Sequence, residues 1–436
     1  MTEKTPKRRP GGLKRAHAER QDEVDVEVSA PHAKSSRTKD VAEDEDEMAV
    51  PLPDSGETDE LADLKELYDK AFATLKTDSE KAFSLFRGLV HESDRVLRLQ
   101  AEAGETPPPH LYWVYGMALF CMSELKEEAD SFDFLRLSSE RFARGQELAQ
   151  DFHDEALDAR LKLSDLHERL ALGHAKALIG QARVLAHRAA EHPDIAAETL
   201  SDRETLVKDA VENFELAVQS AQAAGYSQSV AEPLLIQEIS LLQSYVDALA
   251  EWDEIERWNG VAIDKLTAAL KNHEASPKLW FHLGYCHWSL AKYFLDQDEE
   301  DGEEDEEDDD EKATRYSELI GQAQPYLRKS HEYLAKSQEL YGKDNPESVF
   351  MLLTLGEVLI NLGNCVEATT ALDDDAEESE PSVLDGLTQD QYYERAVAAF
   401  NQARQLGGDD YMLPEQFEQF LQDWEEEMQQ SEEETD

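Results

Sequence analysis

The segment AVAAFNQA, residues 396–403, decides the fold of this 436-residue chain. Small side chains at Ala396 and Ala403 let two helices approach each other closely. The ring of Phe400, four residues after Ala396, can fill the space where the helices cross, and a Gly-Gly pair at 407–408 can end the segment. The spacing predicts the second helix of a tightly packed helical pair.

The same spacing recurs along the chain, which indicates a repeat. Second-helix patterns of the tetratricopeptide type, A-x3-F-x2-A, occur in whole or part at Ala82/Phe86, Ala210/Phe214/Ala217 and Ala262/Leu266/Ala269. The first-helix pattern W-x2-L-G is matched by Trp280, Leu283 and Gly284, and in part by Leu355 and Gly356. We therefore predict an all-α, degenerate tetratricopeptide-like solenoid, with a non-repetitive helical bundle as the alternative.

Composition supports the helical interpretation. Leu and Ala together supply about a hundred residues, whereas the β-branched residues Val and Ile supply 28. Leu and Ala favour helices and β-branched residues favour strands. No alternating strand pattern of useful length is present, so the ordered part should be helical throughout.

The net charge restricts the kind of partner. The chain has 97 acidic and 42 basic residues, a formal charge of -55. Such a surface repels phosphate, so direct binding of nucleic acid or of anionic membranes is disfavoured. The longest apolar stretch, residues 349–366, is interrupted by Glu357 and Asn361, and no signal peptide is recognisable. These features predict a soluble intracellular protein.

Much of the charge lies in short runs that cannot form a core. Residues 43–47, 298–311, 373–380 and 425–436 contribute 5, 13, 6 and 7 acidic residues, 31 in all, without one basic residue. Like charges repel and offer no apolar area to bury. These runs should therefore be solvated segments.

The charge runs set the predicted domain limits. Residues 1–58 should be a disordered arm, first basic and then acidic. Residues 59–424 should form the helical-repeat domain, with acidic loops near 296–313 and 371–388, because insertions in solenoids fall in loops. Residues 425–436 should be a disordered acidic tail.

A basic cluster near the N-terminus predicts a nuclear localisation signal, made of Lys7, Arg8, Arg9, Lys14 and Arg15. Import receptors read such clusters through acidic grooves. A solubilising arm or nonspecific contact with RNA is the alternative.

Motifs that carry chemistry are scarce. The chain has no phosphate-binding loop, nucleophile elbow or H-E-x-x-H zinc motif. His282, Cys286 and His287 could suggest a metal site, but they lie among aromatic residues in a predicted repeat helix, which favours core packing. We predict no cofactor, no metal and no enzymatic activity, with a helical enzyme as the minor alternative.

Both ends of the chain resemble one fungal family. The run KRRPGGLK at residues 7–14 is similar to the K-R-P-x-G-L-x-K start of the enhancer of translation termination proteins, with an extra Arg and a shifted Gly. The C-terminal residues Leu413, Pro414 and Glu415, followed by the apolar positions Phe417, Phe420, Leu421 and Trp424, are also compatible. The resemblance implies a non-enzymatic nuclear helical-repeat adaptor.

The same resemblance implies a role and a partner. Members of that family are needed for correct translation termination and bind a prolyl-hydroxylase-like 2-oxoglutarate oxygenase, which links them to hypoxic gene expression. For this chain we expect the partner in a groove of the solenoid and an import receptor on the N-terminal arm. The alternative is an acidic chaperone of histones or other basic nuclear proteins.

Overall fold

The computed structural model describes residues 60–126, 128–152, 154–161, 163, 165–223, 231–300, 309–371, 384–408 and 411–435. The chain divides into two units, one formed by residues 59–411 and another that contains residues 412–436. The described part of the first unit holds thirteen α-helices, which confirms the all-α prediction. The predicted repeat domain ran to residue 424, whereas this unit ends at 411.

The helices of the first unit follow one another with short connections. Their bounds are α1 Glu60–Thr74, α2 Ser79–Ala103, α3 Pro109–Ser123, α4 Glu128–Ala149, α5 Glu155–Leu161, α6 Leu166–Glu191, α7 Pro193–Ala223, α8 Ala231–Val246, α9 Trp252–Leu270, α10 Pro277–Glu300, α11 Asp309–Tyr341, α12 Val349–Ala371 and α13 Gln389–Gly407.

These helices form a stack of pairs. The pairs are α1/α2, α3/α4, α6/α7, α8/α9, α10/α11 and α12/α13, and the short α5, which follows the second pair along the chain, contacts α1. The first helix of each pair also contacts the first helix of the next, in the order α1, α3, α6, α8, α10 and α12. Such nearest-neighbour stacking is the architecture of a helical solenoid, so the predicted fold class is confirmed.

Side-chain caps fix several helix ends. Asp78 precedes α2 and its carboxylate accepts a hydrogen bond from the Lys81 N–H at 2.9 Å. Gly104, with φ of 71°, closes the same helix in the left-handed region where glycine is favoured. Thr388 and Gln391 form a capping box at the start of α13. Local sequence therefore decides where these helices begin and end.

The pair α12/α13 has the packing that its sequence indicates. Phe400 is fully buried, and a β-carbon added at Gly356 would lie less than 3.0 Å from three atoms of its ring. Ala396 and Ala403, on either side of Phe400 along α13, are also fully buried, and Leu355 is 4% exposed. Close packing of this kind leaves no room for a larger residue at Gly356.

The pair α10/α11 repeats this arrangement with an aliphatic side chain. A β-carbon at Gly284 would lie less than 3.0 Å from two side-chain atoms of Leu334. Leu283 is buried, and the half-buried Trp280 packs against Tyr333 with ring centroids 5.7 Å apart. Leu334 therefore takes the place on α11 that Phe400 takes on α13.

Another pair of this kind has no match in the sequence patterns quoted above. The ring of Phe142 on α4 is fully buried between glycines of two other helices, Gly116 on α3 and Gly173 on α6. A β-carbon at either glycine would lie 3.0 Å or less from three ring atoms. The ring of Phe142 thus fills both the interface within its own pair, α3/α4, and the interface with α6 of the next pair.

The acidic loop near 296–313 is shorter than predicted, and this part of the prediction is wrong. α10 continues to Glu300 and α11 begins at Asp309, so only residues 301–308 separate them. Glu is a good helix former, and acidic residues in the first turn of α11 interact favourably with the helix dipole. The run therefore extends two helices instead of interrupting them at 296.

The predicted disordered tail is also helical. In the second unit, α14 spans Glu415–Thr435 and includes most of residues 425–436. Phe417, Phe420, Leu421 and Trp424 are buried and recur at helical spacing, and the Glu- and Gln-rich end continues the same helix because both residues are good helix formers. The 1–58 arm and residues 372–383 lie outside the described residues.

Within the described part of the chain, one helical stretch is long and apolar enough to cross a membrane. It spans Pro346–Val366 and includes most of α12. Of its 18 most apolar consecutive residues, 72% are buried inside the protein, where the helix packs between α11 and α13. Core helices of this kind pass the same test of length and composition.

Candidate protein-docking surface

The row of first helices carries a surface along one face of α10. Phe281, Tyr285, Ser289, Lys292 and Asp296 follow one another at intervals of three or four residues. Residues at this spacing share one face of a helix. This face borders α8 and α12, because Tyr285 is hydrogen-bonded to Asp247 directly after α8 and Phe281 packs beside Phe350 of α12.

The aromatic patch consists of Phe281 and Tyr285 on α10 and Phe350 on α12. The ring centroid of Phe350 lies 5.6 Å from that of Phe281 and 6.1 Å from that of Tyr285. Phe350 is 57% exposed, the largest fraction for a bulky apolar side chain among the described residues 60–411, and the other two rings are half-buried. Clustered exposed apolar residues of this kind mark interaction sites.

Acidic groups border the aromatic patch. The Tyr285 hydroxyl donates a hydrogen bond of 2.8 Å to Oδ2 of Asp247, an exposed residue in the turn after α8. Burial raises the pKa of Tyr285, and the charges of Asp247 and Glu357 raise it further. At the start of α10, the Lys278 ammonium lies 3.1 Å from a Glu347 carboxylate oxygen.

A cleft continues the surface beyond Tyr285. It has a volume of about 640 Å³ and lies where the turn after α8 meets α10 and the start of α11. The polar side chains around it include His187, Asp247, Glu251, Ser289, Lys292 and Asp296. Asp247 belongs both to the cleft and to the border of the aromatic patch, so the two form one continuous surface.

The turn between α8 and α9 places Asp247 at this surface. Val246, Ala248 and Leu249 are buried, and the Asp247 N–H donates to the Gln243 carbonyl at 2.9 Å. Apolar residues on both sides anchor the turn in the core. The single exposed carboxylate between them is therefore held next to Tyr285.

A buried polar network beneath the surface holds α8 against α10. The amide oxygen of Gln243 accepts from Nδ1 of His282 at 2.8 Å, and its amide nitrogen donates to the His282 carbonyl at 3.0 Å and to Sγ of Cys286 at 3.3 Å. Burial lowers the pKa of His282 to about 4, so the imidazole is neutral at physiological pH. The network fixes the helix that carries Phe281 and Tyr285.

The three candidate metal ligands do not point to a common centre. His282 and Cys286 contact Gln243, whereas His287 packs on Tyr333 of α11 with ring centroids 5.5 Å apart. Among the described residues, no group of three or more His, Cys, Asp or Glu side chains is arranged to hold a metal ion. Burial raises the pKa of Cys286 to about 12, which keeps it a thiol.

The predicted site residues form two sets, the nuclear localisation cluster and the repeat core. Lys7, Arg8, Arg9, Lys14 and Arg15 lie outside the described residues. The predicted repeat-core residues lie in the interfaces of α10/α11 and α12/α13, where all are buried except the half-buried Trp280. Sequence reasoning missed Phe281 and Phe350, although the aromatic-rich stretch WFHLGYCHW at 280–288 was a signal.

Comparison with known proteins gives a family. Residues 6–273 match the sequence profile of a family described as "Nuclear pore complex subunit Nro1". The enhancer of translation termination 1 of Candida tropicalis is 33% identical over 93 residues, which are 21% of this chain and 20% of that protein. The chain thus matches about a fifth of the length of this relative. These matches confirm the resemblance seen at residues 7–14.

Two solved structures are also similar. One is described as the hypoxic regulator of sterol synthesis Nro1, a nuclear import adaptor, with 19% identity, a TM-score of 0.41 and coverage of 84% of this chain and 93% of that chain. The other, the nuclear import adaptor Nro1 of S. pombe, has 17% identity, a TM-score of 0.39 and coverage of 90% of this chain and 100% of that chain.

Proposed function

We propose, since this chain belongs to the Nro1 family, that it is a non-enzymatic adaptor that holds a partner protein on the surface of α8, α10 and α12. The observation that supports this most directly is the exposed aromatic patch beside the cleft. Stacked helical repeats provide extended surfaces for protein partners. The family is described as a nuclear pore complex subunit, so the expected location in the nucleus is confirmed.

The adaptor function has an import part. A relative is described as a nuclear import adaptor, and we propose that this chain also accompanies a cargo into the nucleus. The basic cluster Lys7, Arg8, Arg9, Lys14 and Arg15 would contact the import receptor. Changing all five to Ala in a fluorescent fusion should move it from nucleus to cytoplasm, and an unchanged nuclear signal would contradict the assignment.

The proposed cargo is a prolyl-hydroxylase-like 2-oxoglutarate oxygenase, through which the adaptor supports translation termination and hypoxic gene expression. The name of one relative, enhancer of translation termination 1, supports the termination role, and the description of another as a hypoxic regulator supports the hypoxic role. The choice of the oxygenase itself rests on the family resemblance at residues 7–14. Titration calorimetry with the purified full chain and the oxygenase of the same genome tests binding. A stop-codon readthrough reporter in cells lacking the adaptor tests the termination role. Absence of both effects would refute the proposal.

The net charge of -55 favours a second candidate, an acidic chaperone of histones or other basic nuclear proteins. Replacing the carboxylates of 298–311 and 425–436 with the matching amides keeps the side-chain shapes and removes the charge. Binding of histones should collapse in this variant if the chain is a chaperone. Binding of the oxygenase should survive if α8, α10 and α12 form the docking surface.

A further inference from the structure

Charges around the aromatic patch are predominantly negative. Over the aromatic patch and the adjoining cleft, Asp247, Glu251, Asp296, Glu347 and Glu357 carry five negative charges, and Lys278, Lys292 and Arg315 carry three positive charges, a balance of -2. The whole chain carries -55, so long-range attraction acts on a cation in the same direction. An exposed aromatic cluster within an acidic border is a combination that suits a cationic ligand.

We propose that the aromatic patch docks a partner segment in which an arginine or lysine stands beside an apolar residue. This rests on the proposed adaptor function. The cation stacks on the exposed ring of Phe350 and faces Asp247 and Glu357, while the apolar residue covers Phe281. Aromatic rings attract cations through the negative charge on their faces, and the attraction is larger when water is excluded.

The patch has room for such a contact because its rings have no cation of their own among the described residues. Cations elsewhere in the described chain lie over other rings, such as Arg141 over Tyr115 at 4.8 Å and Arg257 over Trp258 at 5.1 Å. A partner arginine on Phe350 would repeat a contact that this chain already makes within itself. Aromatic residues with a nearby charge are also the usual centres of binding energy in protein interfaces.

Other occupants fit less well. Two copies of the chain joined face to face through this patch would bring two clusters of charge -2 together, and like charges in an interface are costly. Nucleic acid and acidic peptides are repelled by the same carboxylates.

The test uses the full chain and two fluorescein-labelled peptides. The first is a twelve-residue peptide with three arginines among leucines and serines, and the second replaces each arginine with citrulline, which has the same shape and no charge. Fluorescence anisotropy at about 0.15 M salt, where surface charges are screened beyond about 8 Å, should show roughly tenfold tighter binding of the arginine peptide. Phe350→Ala should remove most of this preference without changing any charge.

Matched control variants distinguish binding at the aromatic patch from nonspecific attraction of the peptide to the acidic surface. Phe72→Ala removes another exposed ring, 46% exposed and stacked on Tyr68 at 6.0 Å. Asp247→Asn should weaken binding of the arginine peptide only, and Glu102→Gln, at an exposed position of α2, should change it less than twofold. Melting temperatures of all variants verify that they are folded.

Two results would overturn the proposal. One is the absence of saturable binding of the arginine peptide, and the other is equal weakening by Phe350→Ala and Phe72→Ala, which would mean nonspecific attraction. Calorimetry of the Phe350→Ala variant with the oxygenase separates this contact from the adaptor function. Unchanged affinity for the oxygenase would contradict the proposed contact at Phe350 and leave the proposed adaptor function intact.

Discussion

His287 should make the stability of the protein depend on pH. Its ring is 6% exposed and packs on Tyr333 of α11. Burial lowers its pKa to about 4, and Nδ1 has no hydrogen-bond partner among the described residues. His287→Phe keeps an aromatic ring in this space and removes the titratable group.

The direction and size of the effect follow from proton binding. An ordinary histidine has a pKa of about 6.5 in the unfolded chain. Because the folded pKa is lower, the unfolded state binds more protons, and stability is lost as the pH falls from 6.5 toward 4. At pH 5, which is about 1.5 units below the unfolded pKa, the free energy of unfolding should be lower by about 2 kcal/mol, at 1.36 kcal/mol per unit.

Urea unfolding at pH 7 and pH 5 measures the effect. Protonation of the many carboxylates lowers the free energy of unfolding of wild type and variant by the same amount. The comparison is therefore between the two proteins' changes in free energy of unfolding from pH 7 to pH 5. Relative to wild type, His287→Phe should retain about 2 kcal/mol more of its free energy of unfolding at pH 5. His91→Asn, at an exposed position of α2, is the control and should follow wild type. Curves for His287→Phe and wild type that stay parallel within about 0.5 kcal/mol would refute the reasoning.

Three further changes test the core and the acidic run. Phe400→Ala should lower the free energy of unfolding in urea by about 3 to 5 kcal/mol, and a loss below about 0.5 would remove this repeat from the architecture. Arg203→Met leaves the buried Glu254 without its partner at 2.9 Å and should cost about 3 to 5 kcal/mol at pH 7. The cost should shrink as the pH falls, since burial already raises the pKa of Glu254 and loss of the Arg203 charge raises it further. A Gly-Ser linker in place of 301–308 should preserve helix content by circular dichroism, and a marked loss of helix would show that the run is structural.

The second-helix pattern identified helices only where alanine stands four residues before the large side chain. In α4, Ser138 lies four residues before Phe142 and Gly145 three residues after it, so the segment does not match A-x3-F-x2-A. Ser138 is fully buried and its hydroxyl donates to the Gly116 carbonyl on α3 at 2.8 Å. A serine can therefore replace alanine here because the facing helix satisfies its hydroxyl.

The pair α10/α11 shows the same substitution together with a long insertion. Ser337 is fully buried and donates to the Pro277 carbonyl at 2.8 Å, while Leu334 fills the space at Gly284. Residues 301–308 and the helix extensions separate the two partners by more than the usual repeat length. The interface requires side chains that fill the space between the helices and have their hydrogen bonds satisfied. Several residue types meet both requirements, so a pattern of residue types identifies only some of the helix pairs.

The docking surface was less predictable than the fold. Helical spacing alone places Phe281 and Tyr285 on one face of α10. Their third neighbour, Phe350, is 69 residues further along the chain than Phe281 and meets it only because α12 stacks beside α10 after the acidic insertion. Which aromatic residues stay exposed depends on this stacking, which no local pattern encodes.

Because the ring of Phe142 packs between Gly116 and Gly173, the substitutions tolerated at each of these three positions depend on the residues at the other two, although they lie far apart in the sequence. A methyl group gained at either glycine requires a smaller side chain at 142, and a smaller side chain at 142 leaves a void unless one of the glycines grows. Each single step thus lowers stability, while a compensated pair restores the filled volume. Across descendants of this chain, the three positions should change as a group or remain as they are.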